Sequence, residues 1–232
     1  MVEIHIFSMS CIALIPARGG SKGIPRKNIK PFNSKPLIYW SIKIALESNK
    51  VDRVIVSTED EEIADIARSF SAEVPFMRPK KYSMDNSSGL EPILHALETI
   101  PNINDLLLLQ PTSPLRRLED IEGIFNQRSK FNSDSAVSLT LSKKPCDLFF
   151  KLGNNMKILS SRDTLSSKPR QEYQKRFYLN GSLYLSTKES IFKNKSLITN
   201  NTVGYIMPEE YSIDIDTPFD WMIAEFLMES LS

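Results

Sequence analysis

Short, nearly unbroken apolar runs alternate along the chain with longer segments whose apolar residues recur at helical spacing. CIALIPA (11–17), DRVIVST (52–58), DLLLLQ (105–110) and DSAVSLTL (134–141) read as buried strands. PLIYWSIKIALES (36–48), EDEEIADIARSF (59–70), GLEPILHALETI (89–100) and LEDIEGIFNQRSKF (118–131) read as the helices between them, and EVPF (73–76) as a short extended piece. The strand pattern resumes in SLYLS (182–186), VGYIM (203–207) and SIDID (212–216), and a helix closes the chain. Continuous apolar strands separated by helices predict a mostly parallel sheet covered on both faces, a doubly wound α/β fold. Ligands in such folds collect outside the carboxyl ends of strands. The loops IPARGGSKG (15–23) and QPTSPLR (110–116) are therefore the first places to look.

One stretch breaks the rhythm. Residues 143–178 are polar, basic and weakly periodic, yet Leu148, Phe149, Phe150 and Leu152 need burial. This predicts an insertion in a single domain spanning 1–232, serving as a subunit-contact arm or a lid.

Composition narrows the function by exclusion. Against 29 Lys+Arg stand 28 Asp+Glu, a net charge of +1, so no global nucleic-acid footprint is present. Cys11 and Cys146 lack metal-ligand spacing and read as packed thiols. The start, MVEIHIFSM, has no basic leader, and no run approaches a membrane span, so the expectation is a cytoplasmic protein with no membrane partner. His5 and His95 are the two histidines, one in the N-terminal extension and one on a helix. That disfavours a Ser-His-Asp hydrolase and a His-ligated zinc enzyme.

Charge is concentrated locally. IPARGGSKGIPRKN (15–28) holds Arg18, Lys22, Arg26 and Lys27 with three glycines and no acid. A glycine-containing turn directly after a buried strand lets backbone N–H groups converge on an anion, and phosphate is the natural guest. Neither the G-x-x-x-x-G-K-S/T nor the G-x-G-x-x-G spacing is met, which weighs against a P-loop ATPase and a nicotinamide dehydrogenase. The plain alternative is a solvated surface turn.

A triphosphate brings Mg²⁺, and SIDIDTP (212–218) offers the ligands. On an extended segment Asp214 and Asp216 project together while Ile213 and Ile215 face inward, and two carboxylates on one face repel unless a cation sits between them. Thr217 reads as an N-cap with Pro218 at the first helical position. A solvated turn is again the plain alternative. EDEEIAD (59–65) reads as an exposed acidic first turn of a helix.

Taken in order, Ala17-Arg18-x-x-Ser21-Lys22-Gly23-x-x-x-Lys27-Asn28, Gln110-Pro111-Thr112-Ser113-Pro114-Leu115-Arg116, Asn180-Gly181 and Asp214-x-Asp216-Thr217 resemble the CMP-sialic acid synthetases, or acylneuraminate cytidylyltransferases. The set runs from residue 12 to the end of the chain. The resemblance implies a Rossmann-like nucleotidyltransferase core, a homodimer whose insertion reaches over the partner, and Mg²⁺-dependent joining of CTP to a free nine-carbon 2-keto acid sugar with release of pyrophosphate. It implies that Arg18, Ser21, Lys22 and Lys27 handle the phosphates, Lys27 nearest the α-phosphate, and that Asn28, Arg78, Asn86, Ser87 and Ser88 hold ribose and cytosine. Asp214 and Asp216 bind the metal, one of them assisting deprotonation of the anomeric hydroxyl.

On the sugar side the resemblance implies Gln110, Arg170, Arg176, Asn180 and Tyr184. Tyr178 replaces the arginine common two residues before Asn-Gly, which shifts carboxylate binding to Arg170 or Arg176. Leu197 and Ile198 replace aromatic residues, and these departures point towards a bacterial analogue such as legionaminic acid. Two rivals remain: an enzyme for the eight-carbon acid 3-deoxy-manno-octulosonate, and a non-catalytic CTP-binding regulatory subunit.

Overall fold

The computed structural model describes residues 10–84, 87–144, 149–152, 156, 158–159 (backbone only) and 174–231. In chain order these form β1 (Cys11–Pro16), β2 (Pro31–Phe32), β3 (Lys35–Pro36), α1 (Leu37–Glu47), β4 (Arg53–Ser57), α2 (Glu61–Ser69), α3 (Glu91–Thr99) and β5 (Asp105–Leu109). Then follow α4 (Leu118–Lys130), β6 (Ser135–Leu141), β7 (Lys151–Leu152), β8 (Ile158–Leu159), β9 (Phe177–Thr187), α5 (Lys188–Asn194), β10 (Thr202–Ile206) and α6 (Pro218–Leu231).

Six strands form one sheet in the order β10-β6-β9-β5-β1-β4. β1 pairs in parallel with β4 and β5, and β6 with β10, while β9 runs antiparallel between β5 and β6. The α/β expectation holds, with one reversed strand. Alternation divides the core between the two faces. Ala13, Ile15, Val54, Val56, Leu107 and Leu109 pack with α1, α2 and α4 on one side. Ile12, Leu14, Ile55, Leu106 and Leu108 pack with α3 and α5 on the other. A third cluster of Ile24, Phe32, Leu37, Leu115, Ile215 and Trp221 seats α6 beside the start of α1.

From β1 the chain moves outward to β4, then returns across to β5 on the opposite side of β1. The carboxyl ends of β1 and β5 are thus a topological switch point, where the two flanking crossovers part and leave a crevice.

SIDID is a correction: 212–216 forms no strand, and Ser212 instead closes a 3-10 turn over Glu209–Tyr211. Its one backbone bond to the body is Ile215 N–H to the Thr112 carbonyl at 2.8 Å. The alternation there records which side chains are buried, Ile215 inside and Asp216 outside, and not ladder pairing. Thr217 does cap α6, accepting from Asp220 N–H at 3.2 Å while the Asp220 carboxylate accepts from Thr217 N–H at 2.7 Å. Within the expected insertion, residues 145–148, 153–155, 157 and 160–173 lie outside the described residues; β7 and β8 form a small antiparallel pair.

Candidate active site

Buried β1 ends at Pro16, and the loop that follows is tied to the neighbouring strand by Ala17 N–H to the Ser57 carbonyl at 3.0 Å. Arg26 adopts a left-handed φ of 53° and turns the chain into a single 3-10 turn over Lys27–Ile29. Asn28 is buried there, its amide donating to the Arg18 carbonyl at 3.0 Å, so the loop closes on itself. Arg18, Ser21, Lys22, Lys27 and Asn28 all line a cleft of about 480 Å³. Arg78, Ser83, Ser87 and Ser88 form the opposite wall, and Gln110, Thr112 and Asp216 the floor.

Two motifs far apart in sequence meet at Lys27. Its ammonium donates to the Ile215 carbonyl at 2.6 Å and to Asp216 Oδ1 at 3.1 Å. Gly23 makes the approach possible, because a Cβ on it would lie 2.2 Å from the Asp216 carbonyl oxygen. Asp216 lines the cleft and is 74% exposed. Asp214, two residues earlier, lies outside that lining; it is half-buried, and its Oδ1 has no hydrogen-bond partner among the described residues. Burial pushes its carboxyl up, with Thr112 pulling the other way and Asp216 adding to the rise.

Gly181 supplies the space beside it. With φ +75°, a Cβ there would stand 3.3 Å from Asp214 Oδ2 and 3.9 Å from Gln110 Oε1. Gln110, Gly181 and Asp214 therefore meet at one corner beside the cleft, whose lining includes Gln110 but neither of the other two. Arg116 fixes that corner from below. Its guanidinium is buried and donates to the Ser41 hydroxyl at 2.8 Å, to Ser182 Oγ at 3.2 Å and to the Gln110 carbonyl. Desolvation lowers its pKa to about 9.

Several expectations need correction. Asn180 is 3% exposed, and its amide is used inside the protein: Nδ2 donates to Ser212 Oγ at 2.9 Å, and Oδ1 accepts from the Ser138 hydroxyl at 2.6 Å and Ser182 N–H at 3.2 Å. It pins an irregularity in which Ser138 alone faces the residues from Asn180 to Leu183, and so it shapes the corner around Gly181 from inside the protein. Tyr184 packs against the β1–α3 core face, close enough for the Asp214 charge to add to the rise that burial gives its phenol. Arg176 is exposed and outside the cleft lining. Leu197 packs into the core and Ile198 lies outside the cleft lining, so the pair carries no argument about the sugar. Asn86 and Arg170 lie outside the described residues.

The acidic run 59–65 is also more than a solvated turn. Asp60 caps α2, accepting from Ile63 N–H at 3.1 Å, and pairs with Arg26, as does Glu62 at 2.5 Å. Arg26 is thereby held towards α2, so the basic loop's charge is relieved by acids more than 30 residues away. Glu59 pairs with Arg78, at 2.7 Å. That role was missed because the acid precedes a helix, where a solvated carboxylate is the ordinary outcome.

Comparison with known proteins agrees with this geometry. A family model described as cytidylyltransferase matches residues 12–225. The chain belongs to the cytidylyltransferase family. That makes it a nucleotidyltransferase enzyme. It is 36% identical over 229 residues to a CMP-N,N'-diacetyllegionaminic acid synthase of Legionella pneumophila, covering 95% of this chain and 97% of that protein. It is 34% identical over 214 residues to an N-acylneuraminate cytidylyltransferase of Escherichia coli, covering 92% of this chain but 51% of that protein, so it spans about half the length of that relative. The fold is also that of a solved CMP:2-keto-3-deoxy-manno-octonic acid synthetase complexed with CTP, with a TM-score of 0.73 at 18% identity over 96% of this chain and 100% of that one.

Proposed function

We propose that this cytidylyltransferase activates a nine-carbon 2-keto acid sugar of the legionaminic or sialic type, joining CMP from CTP to the anomeric hydroxyl and releasing pyrophosphate. One observation carries the reading: Lys27 of the basic loop bonds directly to the Ile215–Asp216 segment at the switch point, so phosphate-binding cations and acidic groups share one cleft. The acid sugars named for these two relatives, and the length match with the Legionella pneumophila protein, support the substrate class.

In this reading Arg18, Ser21 and Lys22 hold the triphosphate, and Asn28, Arg78, Ser87 and Ser88 hold the nucleoside. Gln110 faces the sugar. One of Asp214 and Asp216 assists deprotonation of the anomeric hydroxyl. As the hydroxyl attacks the α-phosphorus, charge grows on the departing pyrophosphate, and fixed cations stabilise it more than they stabilise the ground state.

Mg²⁺ fits the acidic pair. Asp214 Oδ1 is a buried acceptor in need of a partner, and the exposed Asp216 carboxylate opens to the cleft. Two carboxylates plus substrate phosphates suit a hard cation, and Mg²⁺ held by Asp214 and Asp216 would supply charge neutralisation at the phosphates.

A homodimer fits the surface. Leu141, Phe177, Leu179 and Ile206 are exposed together at the cleft end of β6, β9 and β10, with Phe149 and Phe150 exposed nearby in sequence. An apolar surface of this kind marks a contact site. Sedimentation equilibrium should give twice the 26.4 kDa chain mass; a monomer at micromolar concentration would remove this assignment.

The reaction itself is tested by ³¹P NMR of the protein with CTP, Mg²⁺ and N,N'-diacetyllegionaminic acid. A new phosphodiester and free pyrophosphate, appearing together and only with both substrates present, are expected. CTP that binds but stays intact would favour the regulatory-subunit reading.

A further inference from the structure

Glu59 follows β4 by two residues and is not part of the cleft lining. Its carboxylate nevertheless joins the two walls of the cleft. Oε1 accepts from Gly19 N–H at 2.8 Å, in the loop after β1. Oε2 accepts from Arg78 Nη2 at 2.7 Å and from the Ser83 hydroxyl at 2.8 Å, and Arg78 Nε donates to the same Ser83 Oγ at 2.9 Å. Arg78 N–H is fixed in turn by the Thr58 carbonyl at 2.7 Å. The side chains of Glu59 and Arg78 are 14% and 3% exposed.

Burying two charges carries a desolvation cost that their attraction offsets only when the remaining hydrogen bonds are met, as they are here. Such a pair contributes geometry more dependably than stability. Both Glu59 oxygens are committed, one to each wall, so the carboxylate sets the distance between them.

We infer that Glu59 is a positioning residue for nucleotide binding, acting through Gly19 and Arg78 to hold the phosphate-side loop and the nucleoside-side wall at a fixed separation. The inference rests on reading the cleft as the CTP site. Burial is the largest influence on the Glu59 carboxyl and pushes it up, yet Arg78, Gly19 N–H and Ser83 together hold it below the ordinary glutamate value. The group is thus a carboxylate at neutral pH, with acceptors towards both walls. A glutamine keeps the shape but offers one oxygen and one NH₂, so either Gly19 N–H or the Arg78 guanidinium would face a donor.

The test is steady-state kinetics of E59Q with CTP and the acid sugar varied separately, repeated in an R78M background. E59Q should raise KM for CTP by about tenfold or more, as expected for losing a hydrogen bond to a charged group. KM for the acid sugar should stay close to that of the unsubstituted protein. With Arg78 already replaced, E59Q should add less than about twofold, because the lost contact is shared. E59D keeps the charge but is one methylene short of spanning both walls; an intermediate KM for CTP is expected, and it serves if E59Q does not fold. An unchanged KM for CTP, an equal rise in both KM values, or full additivity with R78M would overturn the inference. Calorimetry of the unsubstituted protein with CTP separates the two levels: absence of binding there would overturn the CTP reading and the inference together, whereas normal binding left intact by E59Q would overturn the inference alone.

Discussion

Lys27→Ala should lower the rate of the chemical step by about 100- to 1,000-fold while weakening CTP binding by less than about tenfold. The asymmetry follows from where the ammonium sits. Its neighbours are the Ile215 carbonyl at 2.6 Å and Asp216 Oδ1 at 3.1 Å, so it touches the acidic segment directly. Arg18 and Lys22 also line the cleft, and in the proposed reading they would supply most of the attraction for a resting triphosphate. A cation placed where charge develops contributes chiefly to the transition state, so its loss appears in the rate constant. Rapid-quench single-turnover measurements, with CTP affinity measured in parallel, separate the two effects. A rate constant unaltered by the substitution would show Lys27 to be a brace between two loops and nothing more.

Asp216→Asn should reduce Mg²⁺-supported turnover by about 1,000-fold or more and leave the fold intact. The side chain is 74% exposed and pairs with Lys27, from which an asparagine oxygen can still accept a bond. Only the anionic character is lost. Circular dichroism and a melting curve should match the unsubstituted protein, and turnover should not recover at raised Mg²⁺. Near-normal activity would remove the metal role assigned to this residue. Asp214 is a less clean site for the same test, since it is half-buried beside Gly181 and a change there also disturbs the corner it shares with Gln110.

The core was legible because its strands are buried on both faces and must be continuously apolar. CIALIP, RVIVS and DLLLL lie within the runs read as strands. What periodicity does not encode is direction: β9 is a run like the others, yet it lies antiparallel between β5 and β6. Seven-residue α5 (Lys188–Asn194) escaped notice because so short a helix shows too few turns for a 3.6-residue period to stand out. SIDID shows the opposite failure, an alternation with a buried face but no strand partner.

The site was legible where a motif keeps its chemistry local. Arg18, Ser21, Lys22, Lys27 and Asn28 all reach the cleft, as do Arg78, Ser87, Ser88 and Gln110. It was not legible where function is relayed through long-range pairs. Glu59 with Arg78, Asp60 with Arg26, and Arg116 beneath Gln110 depend on which loops the sheet order brings together. Asn180 illustrates a related limit of sequence: a polar side chain in a motif can face a ligand or satisfy a buried backbone irregularity, and here it is buried and bonded within the protein.

The central claim is that this cleft joins CTP to a nine-carbon acid sugar. Its most direct test is the initial rate of pyrophosphate release with CTP and Mg²⁺, measured in parallel with N,N'-diacetyllegionaminic acid, N-acetylneuraminic acid and 3-deoxy-manno-octulosonate. The account predicts release with a nine-carbon acid, fastest with the legionaminic compound, and little with the eight-carbon acid. Release with the eight-carbon acid alone, or silence with all three despite measurable CTP binding, would contradict it.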